Sequence, residues 1–158
     1  MKKIGLFMLV AVLVCSCLIS CDEIVGSTKD EEAEAFYDIV SESQTLLDIV
    51  ADDIYSNWYD AIYEDEFDED IDVAIAYAFV TNEANVEVIE ANDEQIKKLF
   101  QKAKEGEYSQ QVKDVMSAYS DYYEFVINVS GSFNSFSAEK ETLKKELASA
   151  LRDLYYEL

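Results

Sequence analysis

Residues 31 to 64 form one long amphipathic stretch, which constrains the fold more than any other part of the sequence. Apolar side chains recur at the three-and-four spacing that places them on one face of an α-helix. The 158-residue chain contains no proline, so this helix would not be interrupted. At about 1.5 Å per residue it would be roughly 51 Å long, and other helices must cover its apolar face. The apolar positions are Phe36, Ile39, Val40, Leu46, Leu47, Val50, Ile54, Trp58, Ala61 and Ile62.

Three later segments show the same helical spacing. Residues 95 to 104 predict a helix with Asn92 as its N-terminal cap and a left-handed stop at Gly106. Residues 112 to 127 predict another helix, which ends near the sequence NVSGSFNSFS. Ser137 is expected to cap the last helix, whose leucines face inward. The lysines expected on its outer face are Lys140, Lys144 and Lys145.

Residues 71 to 90 fit two structures. The alternation of apolar residues from Ile71 to Phe79, with TNEAN before VEVIE, would suit a β-hairpin. The three-and-four spacing fits nearly as well, and alanines at positions 74, 76 and 78 favour a helix, which we expect here. In either case the chain is mostly helical. The predicted fold is all-α, an antiparallel bundle of four to five helices.

The N-terminus has the layout of a secretory signal peptide. Lys2 and Lys3 precede an apolar run, and small and apolar residues follow as far as Cys21. Residues 18 to 21, LISC, resemble the lipobox of bacterial lipoproteins. The resemblance implies that residues 1 to 20 are cleaved and that the Cys21 thiol carries diacylglycerol, with acyl chains such as palmitate. It also implies a protein anchored by lipid to the extracytoplasmic face of the cell membrane.

Two other interpretations of the N-terminus stay open. Residues 4 to 20 touch the low end of the length range, roughly 17 to 25 residues, that spans a bilayer. Cys17 could be the modified residue, although Cys15 suits the position two before it less well than Ile19 suits the equivalent position before Cys21. The lipoprotein interpretation divides the chain into a signal peptide, residues 1–20, a lipidated tether, residues 21–30, and a helical domain, residues 31–158.

The charge of the chain restricts its partners. Cleavage would remove two of the 12 basic residues and leave ten against 34 acids, a formal charge of −24. This excess excludes nucleic acid, whose binding requires Lys and Arg at phosphates, and it opposes contact with anionic lipid. From Asp30 to Ile96 there are 22 acids and no Lys or Arg. This segment could face a cationic protein or peptide, although a solvated surface is the simpler explanation.

The residue types that most enzymes use are missing. The chain has no histidine, and lipidation of Cys21 would leave no free thiol, so neither an enzyme nor a cofactor is expected. No cysteine follows Cys21, which excludes a disulfide framework.

Residues 64 to 72 are the densest acidic run. Asp68, Asp70 and Asp72 alternate as at the start of an EF-hand calcium loop, but the glycine and the final glutamate of that pattern are replaced by Val73 and Phe79. The run is therefore expected to be an interhelical loop and helix cap, with a weak cation site as the alternative.

The 11 tyrosines suggest either a recognition surface or the edge of a core. We expect the core edge, with Trp58 as a core anchor and residues 130 to 132 as a turn. Six of the tyrosines recur at helical spacing: Tyr55, Tyr59, Tyr63, Tyr119, Tyr122 and Tyr123. The expected function is a membrane-anchored, non-enzymatic interaction or accessory module of the cell envelope. The alternative is a binder of divalent cations or of a cationic ligand.

Overall fold

The computed structural model describes residues 29 to 158, with side chains from residue 31 onward. These residues form helices joined by short loops and include no strand, which confirms the predicted all-α bundle. The signal peptide and Cys21 lie outside the described residues. The elements are α1 (Lys29–Tyr63), a single 3₁₀ turn (Phe67–Glu69), α2 (Ile71–Thr81), α3 (Glu83–Ala103), α4 (Ser109–Ile127) and α5 (Phe133–Tyr155).

The long amphipathic stretch folds as one helix of 35 residues, α1, and every other helix packs against it. Most of its apolar face is buried, for example at Phe36, Leu47 and Ile54, and Ile62 in its last turn is 40% exposed. The bundle is therefore built around α1, because a helix of this length cannot bury its own apolar stripe.

α2 and α3 form one bent rod that runs antiparallel to α1. Asn57, near the end of α1, donates a hydrogen bond to the carbonyl of Ala74 in α2 at 3.4 Å. Oε1 of Glu32, near the start of α1, lies 3.9 Å from Nζ of Lys102, near the end of α3. The rod bends at Asn82, whose φ of −106° and ψ of 18° interrupt the helix. The segment that fitted both a helix and a hairpin is therefore helical.

α4 and α5 complete the bundle as an antiparallel pair. Phe125, near the end of α4, stacks on Phe136, near the start of α5, with ring centroids 4.7 Å apart. The ring centroid of Tyr37, near the start of α1, lies 5.7 Å from that of Tyr155, at the end of α5. α5 therefore runs antiparallel to α1. The five helices thus make four rods in alternating directions.

Two predicted helix caps are wrong. Asn92 lies buried inside α3, because that helix begins much earlier, after Asn82. The cap of α5 is Ser132, whose hydroxyl accepts a hydrogen bond from the backbone N–H of Ser135 at 3.2 Å, while the Ser135 hydroxyl accepts one from the backbone N–H of Ser132 at 2.9 Å. Ser137 lies inside this helix.

The predicted turn at Gly106 forms between α3 and α4, but its left-handed conformation does not. Among the described glycines, the positive φ, 91°, belongs to Gly131 in the linker between α4 and α5. This linker is the turn expected for residues 130 to 132.

The prediction that Lys140 faces outward is also wrong. Its side chain lies between α5 and α1, and the residue is only 7% exposed. Its Nζ is 2.6 Å from Oδ1 of Asp52 and 4.7 Å from the centre of the Tyr55 ring. Lys144 is half-buried against the same helix, whereas Lys145 is exposed as expected.

Candidate functional site

One end of the bundle has three rods instead of four. The hydroxyl of Tyr122 donates a hydrogen bond to Oδ1 of Asp48 at 2.8 Å, which fixes the level of α4 beside α1. α4 ends only five residues later, at Ile127, so α1 extends roughly 15 Å beyond it to Tyr63. At that end α1 is accompanied by α2, the start of α5 and the linker between α4 and α5.

A cleft of about 640 Å³ opens at this end, within the range of roughly 300 to 1,000 Å³ that is usual for ligand sites. Its walls come from the loop before α2, the first turns of α2, Trp58 of α1 and the linker before α5. One part of the lining is apolar and another is acidic. The apolar residues are Trp58, Ile71, Ile75 and Val129, and the acidic residues are Asp68, Glu69, Asp70 and Asp72.

The acidic wall is held by a left-handed loop and a helix cap. Oδ1 of Asp70 accepts hydrogen bonds from the backbone N–H groups of Asp72 at 3.1 Å and Val73 at 3.2 Å, so Asp70 starts α2. The ring of Phe67 packs on the ring of Tyr77, with centroids 5.5 Å apart, and this contact holds the loop against α2. This arrangement confirms the predicted interhelical loop and cap. The loop residues with positive φ are Asp65, Phe67, Asp68 and Glu69.

The three candidate cation ligands, Asp68, Asp70 and Asp72, all line the cleft. Within residues 31 to 158, however, no group of three or more acidic or cysteine side chains converges closely enough to hold a metal ion. The Asp70 carboxylate is engaged by two backbone donors. The wall therefore offers spread negative charge, which suits an organic cation better than a hard metal ion that needs six to eight close oxygens.

Phe133, the first residue of α5, is surrounded by aromatic side chains of α1. Its ring centroid lies 5.0 Å from that of Tyr55, 6.0 Å from Trp58, 6.1 Å from Tyr59 and 6.2 Å from Tyr63. The tyrosines spaced every four residues along α1 therefore form the surface against which the start of α5 packs. Their position at the edge of the core is the one expected from their spacing.

Trp58 is the core anchor that the sequence predicts, and it also lines the cleft. It is 4% exposed and packs on Phe136 with centroids 5.5 Å apart. Its indole Nε1 has no hydrogen-bond partner among the described residues. Because Trp58 is the single tryptophan of the chain, its fluorescence reports on this cleft.

α2 also carries an apolar stripe on its solvent side, which the sequence analysis missed. Ala74 and Ala78 are fully buried, whereas Val73, Tyr77 and Val80 are 51%, 52% and 70% exposed. Their spacing places these three side chains on one face, where a surface helix normally carries polar residues. The sequence feature that could have revealed this stripe was the ambiguity of residues 71 to 90. A helix that is apolar on all sides fits alternating and helical patterns equally well.

A row of three exposed acids flanks this stripe along the chain. Asp72 precedes the stripe on α2, and Glu83 and Glu87, one turn apart, follow it at the start of α3. Because the sequence has no Lys or Arg between residues 30 and 96, nearby positions in the chain supply no positive charge to neutralise this row.

The tyrosines with shifted pKa values lie between helices. Burial raises the pKa of Tyr122, and its hydrogen bond to Asp48 adds to the shift. Burial also raises the pKa of Tyr119, with a contribution from the nearby negative charge of Asp93, although the Tyr119 hydroxyl makes no hydrogen bond within the described structure. These two tyrosines contribute to the stability of the core.

None of the helices within residues 29 to 158 contains an apolar segment long enough to cross a membrane. Comparison of the chain with known protein families, with curated proteins and with solved structures gives no match. The function is therefore inferred from the stripe on α2 and from the cleft at its start.

Proposed function

We propose that this protein is a lipid-anchored interaction module of a bacterial cell envelope. The observation that carries the proposal is the exposed apolar stripe of Val73, Tyr77 and Val80 on α2, beside an acidic cleft. Contiguous exposed apolar surface with a polar rim is typical of a site that binds another molecule. The module itself is proposed to be non-enzymatic.

The chemistry of the cleft supports binding rather than catalysis. Its ionisable side chains are four carboxylates, and the sequence has no histidine to pair with them. Carboxylates of one sign beside an apolar surface attract a cation and exclude competing anions. The arrangement therefore favours a partner with both positive charge and apolar surface.

The proposed anchor would leave this end of the bundle accessible. Cys21 is followed by only seven residues before α1 starts at Lys29, a connection that reaches at most about 28 Å when extended. α1 is roughly 52 Å long, and the cleft lies at its far end. Negative charge on the bundle also opposes contact with anionic lipid headgroups. Lipid at Cys21 would thus hold one end of α1 and leave the cleft for a partner.

The anchor is tested by replacing cysteines in intact cells. Cys21→Ala should abolish incorporation of a palmitate analogue and shift the protein from the membrane fraction, or leave the precursor uncleaved. Cys17→Ala is the matched control and should be labelled and processed as before. Labelling of the Cys21→Ala protein, or loss of labelling in the Cys17→Ala protein, would contradict the assignment.

The interaction role is tested by crosslinking at the stripe. A photoreactive amino acid at position 80 should give a discrete protein adduct in cells, identifiable by mass spectrometry. The same group at position 42, exposed in the first half of α1, should not give this adduct. Equal adducts at both positions, or none at position 80, would count against an interaction surface on α2.

A second candidate function is binding of a divalent cation or small cationic ligand, because four carboxylates line one cleft. Calcium at millimolar concentration, or a polyamine, should then change Trp58 fluorescence and raise the melting temperature. The interaction module predicts no such change with either.

A further inference from the structure

We propose that the partner is a cationic amphipathic helix that lies along α2, with its apolar face on the stripe and its Lys or Arg side chains on the acidic row. This inference rests on the proposed function and adds to it the site and the chemistry of the partner. The stripe is defined by Val73, Tyr77 and Val80, and the acidic row by Asp72, Glu83 and Glu87.

The apolar half of the proposal follows from the spacing of the stripe. Its three residues recur at positions i, i+4 and i+7, over about 11 Å of helix. This distance matches two turns of a second helix, whose own apolar residues recur at the same interval. Tyr77 adds a large amphipathic ring at the centre of the stripe, where it is 52% exposed. Val88, further along the chain on α3, is also exposed.

The cationic half follows from the charges around the stripe. Asp72 precedes the stripe and belongs both to the acidic row and to the wall of the cleft, while Glu83 and Glu87 follow just beyond Val80. Two lysines of α5 are engaged with α1 instead, Lys140 with Asp52 and Lys144 with Asp48. The other two basic residues of α5 pair with acids of their own helix, Lys145 with Glu141 and Arg152 with Asp153. The acids beside the stripe therefore favour a partner that is basic on the flank of its apolar face.

The same charges disfavour other occupants. A second copy of the chain, packed stripe to stripe, would bring two acidic rows together and incur like-charge repulsion. An anionic membrane surface would be repelled for the same reason. A purely apolar partner would leave the acidic row beside a low-dielectric surface with its charges uncompensated.

The test uses residues 22 to 158, which contain every described helix, and three synthetic peptides of about five helical turns, roughly 18 residues. The first is an amphipathic helix of leucine, alanine and lysine. The second has glutamate in place of lysine, and the third has the composition of the first in an order that destroys the apolar face. Only the first should bind, as measured by calorimetry and Trp58 fluorescence, and its affinity should fall as salt rises.

Two sets of variants separate the contribution of the apolar stripe to binding from that of the acidic row. Val73→Ser with Val80→Ser, which leaves the contact of Tyr77 with Phe67 in place, should weaken binding of the cationic peptide by at least about tenfold, whereas Ile49→Ser, at an exposed apolar residue on α1, should not. Neutralising the row by Asp72→Asn, Glu83→Gln and Glu87→Gln should weaken binding and flatten its salt dependence. The matched control removes the same charge from exposed acids near the start of α1, and its substitutions are Glu34→Gln, Asp38→Asn and Glu42→Gln.

Several results would overturn the inference. Binding of the glutamate peptide, equal loss in the control set, or salt-independent affinity of the unmodified protein would each exclude charge-matched docking. Dimerisation abolished by Val80→Ser would assign the stripe to a second copy. If the lysine peptide fails to bind while position 80 still captures a protein in cells, the cationic helix is wrong and the interaction function stands.

Discussion

At the scale of single residues, Lys140 joins α5 to α1 through three kinds of contact. Its ammonium group pairs with Asp52 at 2.6 Å and lies over the Tyr55 ring at 4.7 Å. Its methylene chain is buried in the seam between the two helices, since the residue is only 7% exposed. Asp52 is itself more than half exposed, so the ion pair is only partly removed from water. Packing of the methylene chain should therefore contribute more to stability than the charge does.

This balance can be measured with two substitutions at one position. Lys140→Ala removes the buried chain and should lower the free energy of unfolding by about 2 kcal/mol. Lys140→Met keeps most of the volume and should stay within about 1 kcal/mol of the unmodified protein. Lys145→Ala, on the exposed face, should change it by less than about 0.5 kcal/mol. Urea denaturation measures all three, and a Met variant as unstable as the Ala variant would show that the charge dominates.

At the scale of elements, the start of α5 depends on a glycine and two serines. Gly131 has a φ of 91°, which residues with a side chain rarely adopt. A Cβ at this position would lie 2.8 Å from the Ser135 hydroxyl. That hydroxyl accepts the backbone N–H of Ser132 at 2.9 Å, so the same contact would disturb the cap of α5.

Gly131→Ala should accordingly lower the free energy of unfolding by about 1 to 2 kcal/mol, from backbone strain together with a weakened cap. Gly106→Ala is the matched control. Gly106 lies in the turn between α3 and α4 without a positive φ, and this substitution should be neutral or stabilising by up to about 1 kcal/mol. Thermal and urea denaturation of both variants test this. A Gly131→Ala protein as stable as the Gly106→Ala protein would show that the linker relaxes at little cost.

The helices could be predicted from the sequence, but the starts of α3 and α5 and the cleft could not. The three-and-four spacing of apolar residues predicted α1 and the helical character of residues 71 to 90. It did so because helices that pack against one another bury apolar side chains at that spacing. Ser132 and Ser137 both have a side chain that can cap a helix. Ser132 is the observed cap, and the next residue, Phe133, packs against α1. The cleft depends on where α4 ends relative to α1, a register that only long-range contacts such as Tyr122 with Asp48 establish.

The outward prediction for Lys140 failed for a related reason. A pattern of apolar and polar residues treats every lysine as a surface residue, and it contains no information about an acid on another helix. Once α5 lies antiparallel to α1, Lys140 and Lys144 face Asp52 and Asp48 along one seam.

At the scale of the whole molecule, the uneven charge of the sequence is partly resolved within the fold. Lysines of α5 neutralise acids along one side of α1, while the rod of α2 and α3 keeps its acidic row exposed. The charge asymmetry therefore has a structural role on one side of the bundle. On the other side it remains available for a partner, which is the basis for the proposed docking of a cationic helix.

Two buried tyrosines link the stability of the whole bundle to alkaline pH. Burial raises the pKa of Tyr119 and Tyr122 above the ordinary value of about 10. Between that value and the folded pKa, the unfolded chain loses protons that the folded chain retains. Stability therefore falls as pH rises through this window. The hydrogen bond to Asp48 raises the pKa of Lys144 as well, which gives a contribution of the same sign.

The free energy of unfolding should consequently be nearly constant up to about pH 9 and should fall above about pH 10, by at most about 1.4 kcal/mol per pH unit for each buried tyrosine. Urea denaturation at a series of pH values from 8 to about 11.5 measures this slope. Tyr119→Phe with Tyr122→Phe should flatten it, whereas Tyr156→Phe, at a position that is 76% exposed, should leave it unchanged. The slope that remains in the double variant should report Tyr123, Lys97 and Lys144, whose pKa values are also raised. An unaltered slope in the double variant would show that these hydroxyls ionise as readily in the folded bundle as in the unfolded chain.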